Sequence, residues 1–321
     1  MRAEAKGFKS VEHVITRVEE RSIWKCKEGT NWKDGVGRFV SKAFFIGLIC
    51  AAALAGVTSK QLGAASDEES AKNADRGLID ALGNANKTAV GSLLDTNFAW
   101  TDADGKTRTK SEALENLPAL AADSQGDTNA QTHDFGQVER IVGEHHSDRF
   151  VRIWVKRPAG WRAFLVLDVP IPAKGYTNHP TPPRAADKDC VNPCRVLPYK
   201  PANAAQEAAV QTWLKLKMDE WHAIEDDWPT HVSETMVTMS PGMYMSKEER
   251  LALLVKQHEA YGDGSPSAPV DSMRMFDFGN TVIMTAIHGA KAAGKPSYAI
   301  RMFVNEGGEW RIALSAQTDI Q

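Results

Sequence analysis

The chain has 321 residues, 42% of them hydrophobic and 25% charged, with a formal net charge of −3. That length sets two domains as the starting expectation, with apolar material for a core in each. Residues 1–55 carry ten Lys/Arg against six Asp/Glu, so the remaining body is mildly acidic; without a Lys/Arg cluster it argues against nucleic acid or an anionic membrane surface as partner.

From the N-terminus, residues 1–39 are long and mixed in charge, and they contain Trp24 and Trp32. They read as an over-long gene assignment or a cytoplasmic tail. Residues 40–55 read as a signal peptide: Ala43 to Ala55 is an apolar run that follows Lys42 and ends in small residues. At 13 residues it is shorter than the roughly 17–25 needed to span a bilayer; the competing reading is an uncleaved membrane anchor. Export, to a periplasmic or extracellular location, leaves Cys190 and Cys194 as the cysteines of the mature chain. Two nearby thiols in an exported protein point to a disulfide. A zinc site would need further ligands at recognisable spacing, so no metal and no cofactor is expected.

Ser66 with Glu69 is a capping-box pattern, and the helix it opens is expected to run towards Leu94 with Leu78, Ile79, Leu82, Val90 and Leu94 buried. A strand at Phe98–Thr101, a turn at Asp102–Gly105 and a second capping box, Thr109 with Glu112, follow. Ala122–Thr132 has no periodicity and reads as a loop. Strands then run around Phe135–Val142, and a hairpin closes the segment over Phe150–Ile171. Eight of the fifteen prolines fall between Pro170 and Pro201, which marks a linker at 172–202.

The order then repeats. Arg152, Val155, Trp161-Arg162 and Ile171 recur as Arg301, Val304, Trp310-Arg311 and Ile320, at an offset of 149. Earlier landmarks, Gly105 and Thr109 with Glu112, recur as Gly242 and Ser246 with Glu249 at an offset of 137. The difference implies twelve extra residues in the second copy, between the short helix and the last hairpin, and a first copy lacking most of one strand pair. Two domains follow, 66–171 (shortened) and 203–321. Each is an α+β roll in which helices pack on a curved antiparallel sheet.

The element order and the endings VKRPAGWRAFLVLDVPI and VNEGGEWRIALSAQTDI resemble the SnoaL-like, nuclear transport factor 2-like superfamily. The resemblance implies two cone-shaped rolls in tandem, associated through their sheets as an internal pseudo-dimer or a homodimer. It also implies a cone that holds a small apolar or amphipathic molecule, or nothing; the fold alone does not give a function. Some members resemble ketosteroid isomerase, with an Asp base after the first strand, and Asp102 lies near that place. The first unit has no Tyr to act as the phenolic donor, and Asp102 with Asp104 and Gly105 also makes a good turn.

The second unit is the better candidate for a pocket. Trp221, His222, Trp228, Met239, Tyr244, Met284, His288 and Arg301 supply soft apolar surface with a few polar groups. Residues Val210, Leu214, Met218, Trp221 and Ile224 are expected to form the buried stripe of its long helix. The recurring Arg152 and Arg301 invite a structural ion pair or an outer face more than an anion site, and His145-His146 reads as a polar turn. The function expected is binding of a small molecule or a protein partner without clear catalytic chemistry. The alternatives are an isomerase or cyclase with Asp102 as base, and a structural periplasmic interaction module.

Overall fold

Two helix-covered sheets follow one another along the chain. The computed structural model describes residues 70–117, 126–176, 178–184, 188–290 and 294–321. Residues 1–39, the segment 40–55 and the Ser66–Glu69 pair lie outside them.

The first roll runs α1 (Ala71–Gly83), α2 (Lys87–Leu93), β1 (Leu94–Thr101), β2 (Thr107–Thr109), α3 (Lys110–Glu115), β3 (Thr128–Asp134), β4 (Val138–His145), β5 (Asp148–Arg157) and β6 (Gly160–Pro170). The second runs α4 (Ala204–His222), a 3-10 turn (Trp228–His231), β7 (Val232–Ser240), β8 (Met243–Ser246), α5 (Lys247–Tyr261), β9 (Val270–Asp277), β10 (Thr281–His288), β11 (Ser297–Glu306) and β12 (Glu309–Asp319). The sheets share one topology, β2-β1-β6-β5-β4-β3 and β8-β7-β12-β11-β10-β9. β1 runs parallel to β6 and β7 parallel to β12; the remaining pairs are antiparallel.

Both short-helix capping boxes form: Thr109 with Glu112, and Ser246 with Glu249. The single helix expected up to Leu94 is instead two. α1 stops at Gly83, Ala85 turns left-handed, and the Asn86 side chain caps α2 by accepting from the Ala89 amide. Gly and Asn are poor helix-interior residues that favour such breaks. Ile79 is half-buried, while Leu78, Leu82, Val90 and Leu94 are buried.

The first roll also keeps all six strands, which corrects the missing strand pair. Thr128–Thr132 belongs to β3, an edge strand exposed along most of its length. An exposed edge has no buried face to impose apolar alternation, so the segment looked like a loop. The twelve extra residues divide in two. β3 and β4 map onto β9 and β10 at an intermediate offset of 143, with His133↔Arg140↔Ile153 matching Phe276↔Ile283↔Met302. Half the insertion thus precedes β9, where α5 has 15 residues against 6 in α3, and half lies in the β10–β11 connection.

Strand alternation gives each sheet two unlike faces. Val151, Ile153 and Val155 meet Ile300, Met302 and Val304 of the second sheet in one shared apolar layer. Phe164 lies edge-on to Phe276 and Phe278, at 4.9 and 5.3 Å. Arg140 crosses the layer and donates to the carbonyls of Ala313 and Thr235. The C-terminal strand ends against the β1–β2 turn, where Thr318 donates to the Ala103 carbonyl and Gln321 to that of Asp104.

The opposite faces are covered by the helices. Trp100, Phe150 and Trp154 pack under α1 and α2, and Met236, Met284 and Phe303 pack under α4. The buried face of α4 is Ala209, Val210, Trp213, Leu216 and Lys217, with Leu214 and Met218 only half-buried. Between the rolls, the Cys190–Cys194 disulfide packs on Trp221. Asn192 exchanges two hydrogen bonds with the Val270 backbone, so the linker is docked on the second roll.

Candidate functional site

The helix-covered face of each sheet carries one histidine and one arginine at matching places. His145 and His288 end β4 and β10, and Arg152 and Arg301 sit one strand inward on β5 and β11. All four are almost completely buried. His145 is therefore not part of a polar turn; only His146, with φ of 48°, occupies the turn. The same pair of residue types is set in two different electrostatic surroundings.

In the first roll, carboxylates surround the pair. Arg152 makes a two-pronged ion pair with Asp127, at 2.5 and 3.0 Å, and reaches Asp75 at 3.1 Å. His145, 2% exposed, lies 3.5 Å from Asp127 and 3.3 Å from Asp168. Two indoles complete the network, Trp154 donating to Asp75 and Trp100 to Asp168. Burial disfavours the imidazolium, but the flanking carboxylates outweigh it and hold the His145 pKa up at about 9. Asp127 is pulled below the usual carboxylate range because its contacts with His145 and Arg152 overcome its burial. Arg152 and His145 thus both lie beside carboxylates of the chain itself, though His145 meets them in ion pairs and not in hydrogen bonds.

In the second roll the counterparts of these three acids are not acids. Gln317 takes the place of Asp168, as the paired positions Phe150↔Asp168 and Ala299↔Gln317 show. Val270 takes that of Asp127 at the 143 offset. Along the helices the buried set Ala71, Ala74, Asp75, Leu78, Ala81 and Leu82 repeats as Gln206, Ala209, Val210, Trp213, Leu216 and Lys217. Val210 thus replaces Asp75, and a lysine replaces Leu82.

What remains around Arg301 and His288 is a cavity of about 220 Å³, walled also by Lys217, Glu220, Arg250, Met239, Met243 and Gln317. Arg301 bonds the carbonyls of Ile300 and Ala316 and the Gln317 side chain, and its Nε has no acceptor. Burial pushes its pKa down to about 10. His288 Nδ1 faces the Ala268 carbonyl, which only accepts, so Nδ1 carries the hydrogen and Nε2 is left buried without a partner. Burial, helped by Arg301 and Lys217, drives the His288 pKa to about 3, so the ring is neutral. Glu220 is held down at about 2 by Lys217 and Arg250, which outweigh its burial. Trp213 and Trp228 also keep indole nitrogens without acceptors, unlike Trp100 and Trp154 of the first roll.

Of the expected pocket residues, the structure brings Met239, His288 and Arg301 to this cavity. Trp228 and Met284 are fully buried in the core beneath α4. Trp221 packs on the disulfide, and His222 faces Asp263 at 3.2 Å near the surface. Tyr244 lies between the rolls under the Arg149 guanidinium, 3.5 Å from its ring centre. Asp102 lines neither cavity described. Its two oxygens accept from the Lys106 amide and the Arg108 guanidinium, and both bonds close the β1–β2 turn.

Lys217, Glu220, Arg250 and Gln317 were not singled out from the sequence. Gln317 was legible as the partner of Asp168 at the 149 offset, but only if the acid itself was first recognised as buried. A larger cleft of about 530 Å³ lies between the rolls. Its cations are already engaged, Lys110 on the Leu94 carbonyl and Arg274 over the Phe276 ring. Among the described residues, no group of His, Cys, Asp or Glu is arranged to hold a metal ion, and no helix is long and apolar enough to cross a membrane.

No family model and no curated protein matches the chain. Solved structures do. An NTF2-like protein from Cytophaga hutchinsonii is 15% identical, over 32% of this chain and 95% of that one, with a TM-score of 0.28. A Rhodospirillum rubrum structure, described as an NTF2-like protein of unknown function in nutrient uptake, is 22% identical over 32% and 100% of the two chains, with a TM-score of 0.27. An NTF2-like protein with a cystatin-like fold from Novosphingobium aromaticivorans is 14% identical over 33% and 83%, with a TM-score of 0.29. Each of these alignments spans about a third of this chain.

Proposed function

We propose that this is an exported two-roll binding protein whose second roll holds a small amphipathic molecule without covalent chemistry. The observation that carries the reading is the cavity beneath α4 and α5, with Met239 and Met243 as soft apolar wall and Arg301 and His288 as polar groups. Adaptable apolar surface with a few convergent polar groups is the usual make-up of a small-molecule site. The first roll, whose Arg152 and His145 are countered by its own aspartates, serves as a rigid support. Export is supported by the disulfide and by the apolar run at residues 43–55. The Asp102 carboxylate is engaged in its turn. Among the described residues lining the second cavity, Glu220 is tied to Lys217 and Arg250, and burial lowers the basicity of His288.

Native mass spectrometry of the exported protein, before and after denaturation, tests this. A non-covalent mass is expected on the wild type and not on Ser240→Trp, which narrows the cavity. Bare-chain masses for both proteins would defeat the reading.

A further inference from the structure

We infer that the cavity of the second roll is a carboxylate site, in which the acid group of a small ligand takes the place that aspartates of the chain itself occupy in the first roll. The inference rests on the small-molecule reading above and names the chemical class of the ligand. Its basis is the comparison of two copies of one fold within one chain.

Both cones keep a buried arginine on the fifth strand and a buried histidine at the end of the fourth. In the first, Asp75, Asp127 and Asp168 neutralise them. In the second, those three places hold Val210, Val270 and Gln317, yet Arg301 is still only 3% exposed. Glu220 is the carboxylate that acts on Arg301 through space, without an ion pair to it. A buried guanidinium so weakly countered is unfavourable, and the first cone shows the kind of partner that closes on such a group.

The charges on the cavity wall point the same way. Lys217, Arg250 and Arg301 stand against one carboxylate, Glu220. That carboxylate is already shared between Lys217 and Arg250, at 2.6 and 3.4 Å, and forms no ion pair with Arg301. Arg301 presents Nε, beside the Nη2 that holds Gln317, without an acceptor among the described residues. This is the edge of the guanidinium that a carboxylate takes side-on. Met239 and Met243 then supply the apolar wall for the rest of the molecule. The ligand class is a small monocarboxylate with an apolar body that fits about 220 Å³. A planar acid is also the partner the chain uses on Arg152, there on the Nη1–Nη2 edge. On Arg301 those two nitrogens hold Ala316 and Gln317, which leaves the Nε side for the ligand.

The test is calorimetric titration of the full chain with hexanoate, with its neutral isostere hexanamide, and with inorganic phosphate. Hexanoate is expected to bind at least about tenfold more tightly than hexanamide, the margin of a charge-assisted bond. Gln317→Asp restores an internal acid where the first roll has one, so it is expected to remain folded and to lose hexanoate binding. Arg301→Gln is expected to abolish the preference for acid over amide. Equal binding of hexanoate and hexanamide, or full hexanoate binding by Gln317→Asp, would overturn the inference while leaving a small-molecule site in place. Phosphate bound as tightly as hexanoate would overturn the carboxylate assignment. No response to any of the three overturns the inference as well, and the mass-spectrometric test then decides the small-molecule reading separately.

Discussion

His145 and His288 hold the same position in two sheets, yet one ring is charged and the other neutral. The difference comes from neighbours: two carboxylates against none. For His145 the folded pKa, about 9, lies above the ordinary value of 6.5. Its contribution to stability is therefore fully present below pH 6.5 and is lost as pH rises through about 9. Asp168→Asn removes one of the carboxylates that raise it. The variant should be less stable than wild type by on the order of 2 kcal/mol at pH 6. That gap should narrow by about pH 10, which urea unfolding midpoints at the two pH values would show; a gap unchanged with pH would mean the imidazole is not charged in the fold.

At the level of elements, the recurring landmarks have unequal jobs. Gly105 and Gly242 occupy matching turns, but a Cβ at Gly105 would meet the Asp319 carbonyl oxygen at 2.5 Å, and its φ of +77° is one that L side chains rarely adopt. A Cβ at Gly242 meets nothing within 4 Å. Gly105→Ala should thus cost about 1–3 kcal/mol, and Gly242→Ala less than about 0.5. Denaturant midpoints of the two variants, compared side by side, check this, and equal effects would mean that the C-terminal strand does not rest on the first turn. The capping boxes were legible because their reach is three residues. The split of the first helix followed from Gly83, Asn84 and Asn86, whose local effect the hydrophobic spacing masked.

On the scale of the whole molecule, the two sheets share one apolar layer, so neither roll can lose its fold without exposing the face of the other. Phe164, fully buried against Phe276 and Phe278, is central to it. Phe164→Ala should lower stability by about 3–5 kcal/mol. Differential scanning calorimetry should still show one transition, moved to lower temperature. Two separated transitions would mean that the rolls unfold independently and that the shared layer contributes little.

The sequence by itself determined the tandem repeat, the strand pairing of the closing hairpins, both short-helix caps and the proximity of Cys190 to Cys194. Each depends on periodicity or on neighbours a few residues apart, which the linear chain records directly. It also marked Arg152 and Arg301 as equivalent, and placed Met239, His288 and Arg301 among the pocket residues. Only the tertiary structure decided which of the two cones is neutralised from within. Asp75, Asp127 and Asp168 lie far from one another and from Arg152 in sequence, and meet only when α1, the residue before β3 and the end of β6 converge over one sheet face. A carboxylate's charge acts through space, so its partner is set by where the fold brings it.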